Sequence, residues 1–435
     1  MSSNTSEDCL FLDVYAPAKA ANLPVYFFIQ GGGFNQNSNP NLNGTSLIKA
    51  SGDNIVVVTI NYRVGPYGFL ASKEVQSGGS LNNGLKDQRK ALEWVQKHIS
   101  KFGGNPNHVV IGGASAGAAS VTLQLTAYGG RDDNLFHATA AESQSFGTIL
   151  TVNESQYVYD QLAARTGCSG VSNTLACLRN ITTSTLQDNN INIPFPNGTA
   201  PPLYLYGPTL DHDFVPYYTY DAYGRGAYVK LPSIYGDDTN EGTVFTPRST
   251  NSLEESDTFL KNQFPFMNST DLEWFNQNYP KAEQFPNSGA YWRQVSNAYG
   301  EVRYICPGIY ISGVNNRNGI KGNWNYRWNV KNAADENSGI GVAHTAEVGW
   351  IWGYASTNQV MIPIIQAYWT SFIRAFDPNT YKLPNTPVWQ DFDYGDGLMR
   401  LKFETNSTQM EMIDQGQQER CAYLSMYSNA VRWRQ

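Results

Sequence analysis

Residues 108–120 read HVVIGGASAGAAS: a β-branched run, then a single serine, Ser115, ringed by glycine and alanine. A strand that turns sharply into a helix with a serine at the bend needs small neighbours, because the serine backbone is strained and both flanking segments pass close by. Gly113 and Gly117 stand where a Cβ would strike the adjoining strand and helix, so the GxSxG spacing is a steric requirement. The alanine-rich AASVTLQL that follows is suited to a helix whose first amides face a developing negative charge.

Working outward, the apolar runs LFLDVYA (from Leu10), VYFFIQ (from Val25), NIVVVTI (from Asn54) and HVVIGG (from His108) read as strands. Between the last two, GLKDQRKALEWVQKHISKFGG places Leu92, Val95 and Ile99 on one helical face and stops at Gly103 and Gly104. Nearly continuous apolar strands joined by crossover helices predict an α/β fold, with a largely parallel central sheet and helices on both faces. Past residue 150 the pattern loosens, with a strand at LPSIYG (from Leu231) and a helix at IPIIQAYWTSFIRAF (from Ile362). No repeat or linker divides the chain, so a single domain over 1–435 with large insertions is expected.

Composition narrows the function. With 41% hydrophobic and 15% charged residues, the chain is globular and not disordered. Its net charge of −7, without a Lys/Arg cluster, argues against nucleic acid as a partner. No apolar run reaches membrane-spanning length, so stable membrane insertion is not expected.

Sequons at Asn4, Asn43, Asn153, Asn180, Asn197, Asn268 and Asn406 favour a secreted glycoprotein. Of five cysteines, Cys168 and Cys177 bracket a short polar loop that a disulfide would close, Cys306 and Cys421 are candidates for a longer one, and Cys9 is left over. The first residues lack the apolar core of a signal peptide, and with the odd cysteine this suggests a shortened N-terminus.

A serine hydroxyl attacks an ester carbonyl only with a base to take its proton and donors to receive the oxyanion. VYFFIQGGGF supplies the donors, running a strand into Gly31, Gly32 and Gly33, whose amides are unobstructed by side chains. Five histidines compete for the base. His98 lies in the crossover helix, His108 at the foot of the serine strand, and His137 at the entry of the next strand. His212 sits between two acids without the His/Cys company a metal needs, so no metal is expected. His344, in the glycine-bounded GIGVAHTAEVGWIWG, is left as a late loop histidine able to reach back. For the orienting carboxylate, GDDTNEG offers Asp237, Asp238 and Glu241, and the residues alone do not choose among them; an aspartate at the strand end is the simplest expectation.

Several stretches together resemble the type B carboxylesterase family, the cholinesterase and fungal lipase branch of the α/β-hydrolase fold, and most of all its secreted fungal carboxylesterases. SEDCLFLDVYAP and FGGNPNHVVIGGASAG resemble its two signatures, and IQGGGF, NYRVGPYGFL, NNGLKDQRKALEWV, NEGTVF and GVAHTAE follow in the family's order. The resemblance implies Ser115 as nucleophile, His344 as base and Glu241 as acid. It also implies backbone oxyanion donors at Gly32, Gly33 and Ala116, a supporting serine at Ser145, a small-molecule ester substrate, and no cofactor.

Three departures bear on specificity. Ala114 precedes the serine where cholinesterases have glutamate, which disfavours choline esters. Gln30 stands where many relatives have histidine or an aromatic residue. The family's segment before the EDCL stretch, with the cysteine that would pair Cys9, is expected to be lacking. The alternatives within this resemblance are a lipase or sterol esterase for long-chain esters and a catalytically weak binding member.

Overall fold

The computed structural model describes residues 6–37, 41–392 and 397–435. Asn4, the first sequon, lies outside them; the other six sequon asparagines are exposed.

Nine strands form the central sheet: β1 (Leu12–Tyr15), β2 (Leu23–Ile29), β3 (Val56–Ile60), β4 (Gly104–Ala114), β5 (Ala138–Glu142), β6 (Ser233–Asp238), β7 (Asn323–Trp328), β8 (Met399–Phe403) and β9 (Gln409–Met412). Their spatial order is β1-β3-β2-β4-β5-β6-β7-β8-β9. Every neighbouring pair from β3 to β8 is parallel, and only the edge pairs β1–β3 and β8–β9 are antiparallel. This is the largely parallel α/β arrangement the apolar runs predict, and the one the family resemblance implies.

The central strands β2 and β3 are nearly continuous apolar runs because both faces of the sheet are covered there. Val25, Phe27 and Ile29 of β2 point into one core with Leu92 and Val95 of α1 (Asn83–His98) and Val121 and Leu125 of α2 (Ala116–Gly130). Tyr26 and Phe28 point the other way, into a second core where Ile365, Trp369 and Phe372 of a late helix (Met361–Ala375) cover the sheet. The chain after β6 adds a satellite core under α3 (Trp292–Gly300) and α4 (Cys306–Arg317), joined by a turn of π-helix at Glu301–Ile305. Both expected disulfides form, Cys168–Cys177 and Cys306–Cys421, and Cys9 is free. Among the described residues, no helix is long and apolar enough to cross a membrane.

The C-terminal ends of β4, β5 and β6 lie side by side, in register at Ala114↔Glu142 and Glu142↔Gly236. In a parallel sheet that edge is where loops converge on a ligand.

Candidate active site

Ser115 leaves β4 with φ 59° and ψ −121°, a conformation that L-residues rarely adopt, and caps the start of α2. The two flanking glycines permit it. A Cβ on Gly117 would lie 2.0 Å from the Ile29 carbonyl oxygen, and one on Gly113 would lie 2.5 Å from the Gly117 backbone. The Ser115 amide donates to the Glu142 carbonyl oxygen at 3.0 Å, which ties the bend to the end of β5.

The glycine loop packs against the same bend. A Cβ on Gly31 would meet the Ser115 Cβ at 3.0 Å, while Gly32 (φ 107°) and Gly33 (φ 61°) occupy positive-φ conformations natural to glycine. Gly33 and Ala116 line the pocket that holds Ser115; Gly32 lies just behind, against the Gln36 carbonyl. Asn35 fixes the loop by donating to the Gly33 and Tyr206 carbonyls, and buried Gln30 donates to Asn37. Gln30 thus braces the loop through Asn37.

His344 and Glu241 meet at the end of β6. The turn carrying Glu241 and the loop carrying His344 are zipped together. The Asn240 amide donates to the Val342 carbonyl at 2.8 Å, the Val342 amide donates to Asn240 Oδ1 at 3.0 Å, and Asn240 bridges Ala343. Glu241 Oε2 sits 2.5 Å from His344 Nδ1, and Oε1 accepts the Asp238 amide at 2.8 Å. Phe245 and Tyr304 pack on the imidazole, with ring centroids at 5.0 and 4.3 Å.

The two aspartates face elsewhere. Asp237 lies 3.6 Å from Arg400, and Asp238 accepts from Ser143 Oγ and the Ala346 amide. Of the three carboxylates, Glu241 is therefore the one in contact with the ring, three residues past the strand end where the simplest expectation from the residues put an aspartate. Ser145 lines the pocket beside Ser115. Two residues before it, Ser143 hydrogen-bonds Asp238, accepts the Thr345 amide at 3.1 Å and counters part of the rise that burial imposes on Glu241.

Burial acts against charge on both partners of the pair. It pushes the His344 imidazole down to about 3, with the Arg303 charge adding to it and Glu347 opposing. It pushes Glu241 up to about 8, against the Asp238 amide and Ser143. The resting imidazole is therefore neutral. Its outer nitrogen, Nε2, is buried and makes no hydrogen bond, so the link to Ser115 is not closed at rest. Ser115 and His344 are nevertheless held by adjacent residues: the Glu142 carbonyl takes the Ser115 amide, and Ser143 Oγ takes the amide that follows His344.

The rejected histidines are far from this edge in role. His98 ends α1, His108 stacks on Phe376, His137 accepts the Val109 amide, and His212 is exposed. Among the described residues, the one cluster of metal-type ligands is Glu301 with Cys306 and Cys421, and those cysteines are a disulfide.

The carboxylesterase family model matches residues 1–424. The chain is 30% identical to "Secreted lipase 4" of Gibberella zeae, over 96% of this chain and 78% of that protein. It is 39% identical to "Lipase 2" of Geotrichum candidum over 57% of this chain, and the match spans 47% of that lipase, about half its length. Among solved structures, Aspergillus niger EstA superposes with a TM-score of 0.95 at 40% identity, covering 99% of this chain and 85% of EstA.

Proposed function

The chain belongs to the carboxylesterase family, and from that premise we propose that it is a serine carboxylic ester hydrolase working through an acyl-enzyme. The observation that carries this reading is the Glu241–His344 pair, with a neutral imidazole whose Nε2 has no partner, on a loop anchored at Ser143 next to the Glu142 that anchors the strained Ser115. Ser115 Oγ attacks the ester carbonyl as His344 Nε2 takes its proton, and Glu241 holds the ring through Nδ1. The amides of Gly32, Gly33 and Ala116 receive the oxyanion. The imidazolium then gives its proton to the departing alcohol, and water repeats the sequence on the acyl-enzyme, releasing the acid. No cofactor enters these steps.

Two disulfides, six exposed sequons and a relative named as secreted support work outside the cell. The pocket wall includes Phe34, Phe69, Leu123 and Phe146, an apolar surface suited to an acyl chain. Relatives named as lipases favour a second reading, hydrolysis of long-chain esters.

Nitrophenyl esters of graded chain length, with a phosphonate probe, test both. We expect hydrolysis and labelling by the wild type, and loss of both in Ser115→Ala. Turnover that survives the substitution removes the mechanism. A preference that climbs with chain length moves the substrate to lipids.

A further inference from the structure

The pocket beside Ser115 contains a positive charge that no carboxylate of the described protein neutralises. Arg303 lines that pocket, and its guanidinium carbon lies 5.5, 5.9 and 5.6 Å from the ring centroids of Tyr204, Tyr299 and Tyr304. Its Nε is buried without an acceptor. Other arginines in this part of the molecule are paired: Arg420 grips Glu301 through two bonds of 2.7 Å, and Arg327 and Arg400 share Glu411. Aromatic faces recover part of the solvation a buried cation loses, and the Tyr304 hydroxyl accepts from the guanidinium, but its Nε–H is left without an acceptor and its charge without a carboxylate.

The placement of this charge is built into the fold. Arg303 sits in the middle of the π-helical turn Glu301–Ile305, a geometry that inserts an extra residue and re-aims the side chains around it. Both ends of the turn are pinned. Glu301 accepts from Tyr279 at 2.6 Å and from Arg420, and Cys306 is bonded to Cys421. The Arg303 carbonyl accepts the Phe146 amide at 2.8 Å, so its backbone is stitched to the pocket wall. A Cβ on Gly147 would lie 3.0 Å from a terminal guanidinium nitrogen, so the residue that leaves the cation room is a glycine.

Tyr204 connects the charge to the reacting centre. A Cβ on Gly33 would lie 2.1 Å from that ring, so one tyrosine separates the guanidinium from the glycine loop beside Ser115. Arg303, Gly33 and Ser115 therefore line one pocket, where a substrate can present a carboxylate to the one and a scissile carbonyl to the others.

Resting on the ester-hydrolase reading above, we propose that Arg303 is a specificity-determining residue that binds an ionised carboxylate on the substrate, so that short esters carrying a second, free acid group are preferred over neutral esters of the same shape. A planar guanidinium matches a carboxylate in two parallel hydrogen bonds, and the surrounding rings exclude the water that would weaken them.

The experiment compares matched pairs: mono-nitrophenyl glutarate against its methyl ester, with the acid on the acyl side, and 4-acetoxybutyrate against its ethyl ester, with the acid on the alcohol side. For at least one pair the wild type is expected to favour the anion by roughly tenfold or more in kcat/KM, carried by KM and shrinking as salt rises. Arg303→Gln is expected to bring that ratio to about one, and Arg303→Lys to restore part of it. Inhibition of the wild type by glutarate against glutaramide gives a reading that needs no variant, with glutarate expected to bind more tightly.

No preference for the anion in either pair and no discrimination between glutarate and glutaramide overturn the proposal. So does an Arg303→Gln protein that loses both members of a pair equally, because the residue is then only structural. Failure of the hydrolase reading looks different: neutral esters go unhydrolysed and the phosphonate leaves Ser115 unlabelled.

Discussion

At the scale of single residues, the strain at Ser115 is held by what its neighbours lack. Gly117 has the Ile29 carbonyl oxygen 2.0 Å from where a Cβ would sit, and that oxygen belongs to a central strand that cannot move aside. Gly117→Ala must therefore shift β2 or the first turn of α2, and either shift moves Ser115 and the glycine loop together. The expected result is a loss of about 3 kcal/mol in urea unfolding, at the upper end of the cost of overpacking, with esterase activity falling by more than the unfolded fraction explains. An alanine variant of wild-type stability and activity would mean that the bend does not need the gap. Arg303 makes the opposite case. A side chain, not its absence, defines the position, and nothing in GEVRYICPG marks this arginine off from any other charge on a helix.

Among the elements, the site was legible where chemistry constrains the backbone and illegible where it depends on aim. The bend at Ser115 and the triple glycine announce themselves because glycine is written wherever another residue would collide. GDDTNEG announces three carboxylates and no choice, since Asp237 and Asp238 at the end of β6 and Glu241 on the turn after it are all buried and differ in direction. The resemblance to a family implies Glu241, the carboxylate whose Oε2 lies 2.5 Å from His344 Nδ1, whereas Ser143, which binds Asp238 and the Thr345 amide, has no signal of its own beyond being the first serine past β5. The π-helical turn is the least legible element, because its composition does not differ from the helices on either side. Its disulfide offers a test. Cys306 and Cys421 are 115 residues apart, so closing that loop restricts the unfolded chain strongly, and replacing both by alanine is expected to cost about 4–5 kcal/mol in chemical unfolding. Because the bond ends the turn that carries Arg303, the variant should lose discrimination for anionic esters at temperatures where it is still folded. Unchanged stability would show that the satellite core alone holds this segment.

Across the whole molecule, the carboxyl edge of the sheet gathers an unusual set of acids. Glu142, Asp237, Asp238, Glu241 and Glu347 are all buried there, and burial is the largest influence on each, raising every one above its ordinary value. Asp237 rises to about 8 from 3.8. In the folded state Glu142, Asp237, Asp238 and Glu347 keep a proton that the unfolded chain has already released, so they favour folding at low pH and lose that contribution as pH climbs through the raised values. His344, His108 and His137 act in the opposite sense, since burial lowers each from 6.5, but their effect is confined to pH below 6.5, where the unfolded chain takes up the protons. Carboxylates held low by partners, such as Glu411 against Arg327 and Glu404 against Lys402, count only below about their ordinary value of 4.5. Between pH 6.5 and 8 the raised acids therefore act without opposition, and stability should fall with rising pH by about 1.4 kcal/mol per pH unit for each proton held. Asp237→Asn tests the assignment without touching the Glu241–His344 pair, because the amide is neutral at every pH and removes one proton's share of the slope. Melting midpoints of the wild type at pH 6.5, 7.25 and 8 are expected to descend, and those of the variant to descend less steeply. A wild-type midpoint that stays level or rises across that range would mean these carboxyls are ionised in the folded protein, and the charge balance around Glu241 would then have to be carried by Arg400 and Arg327.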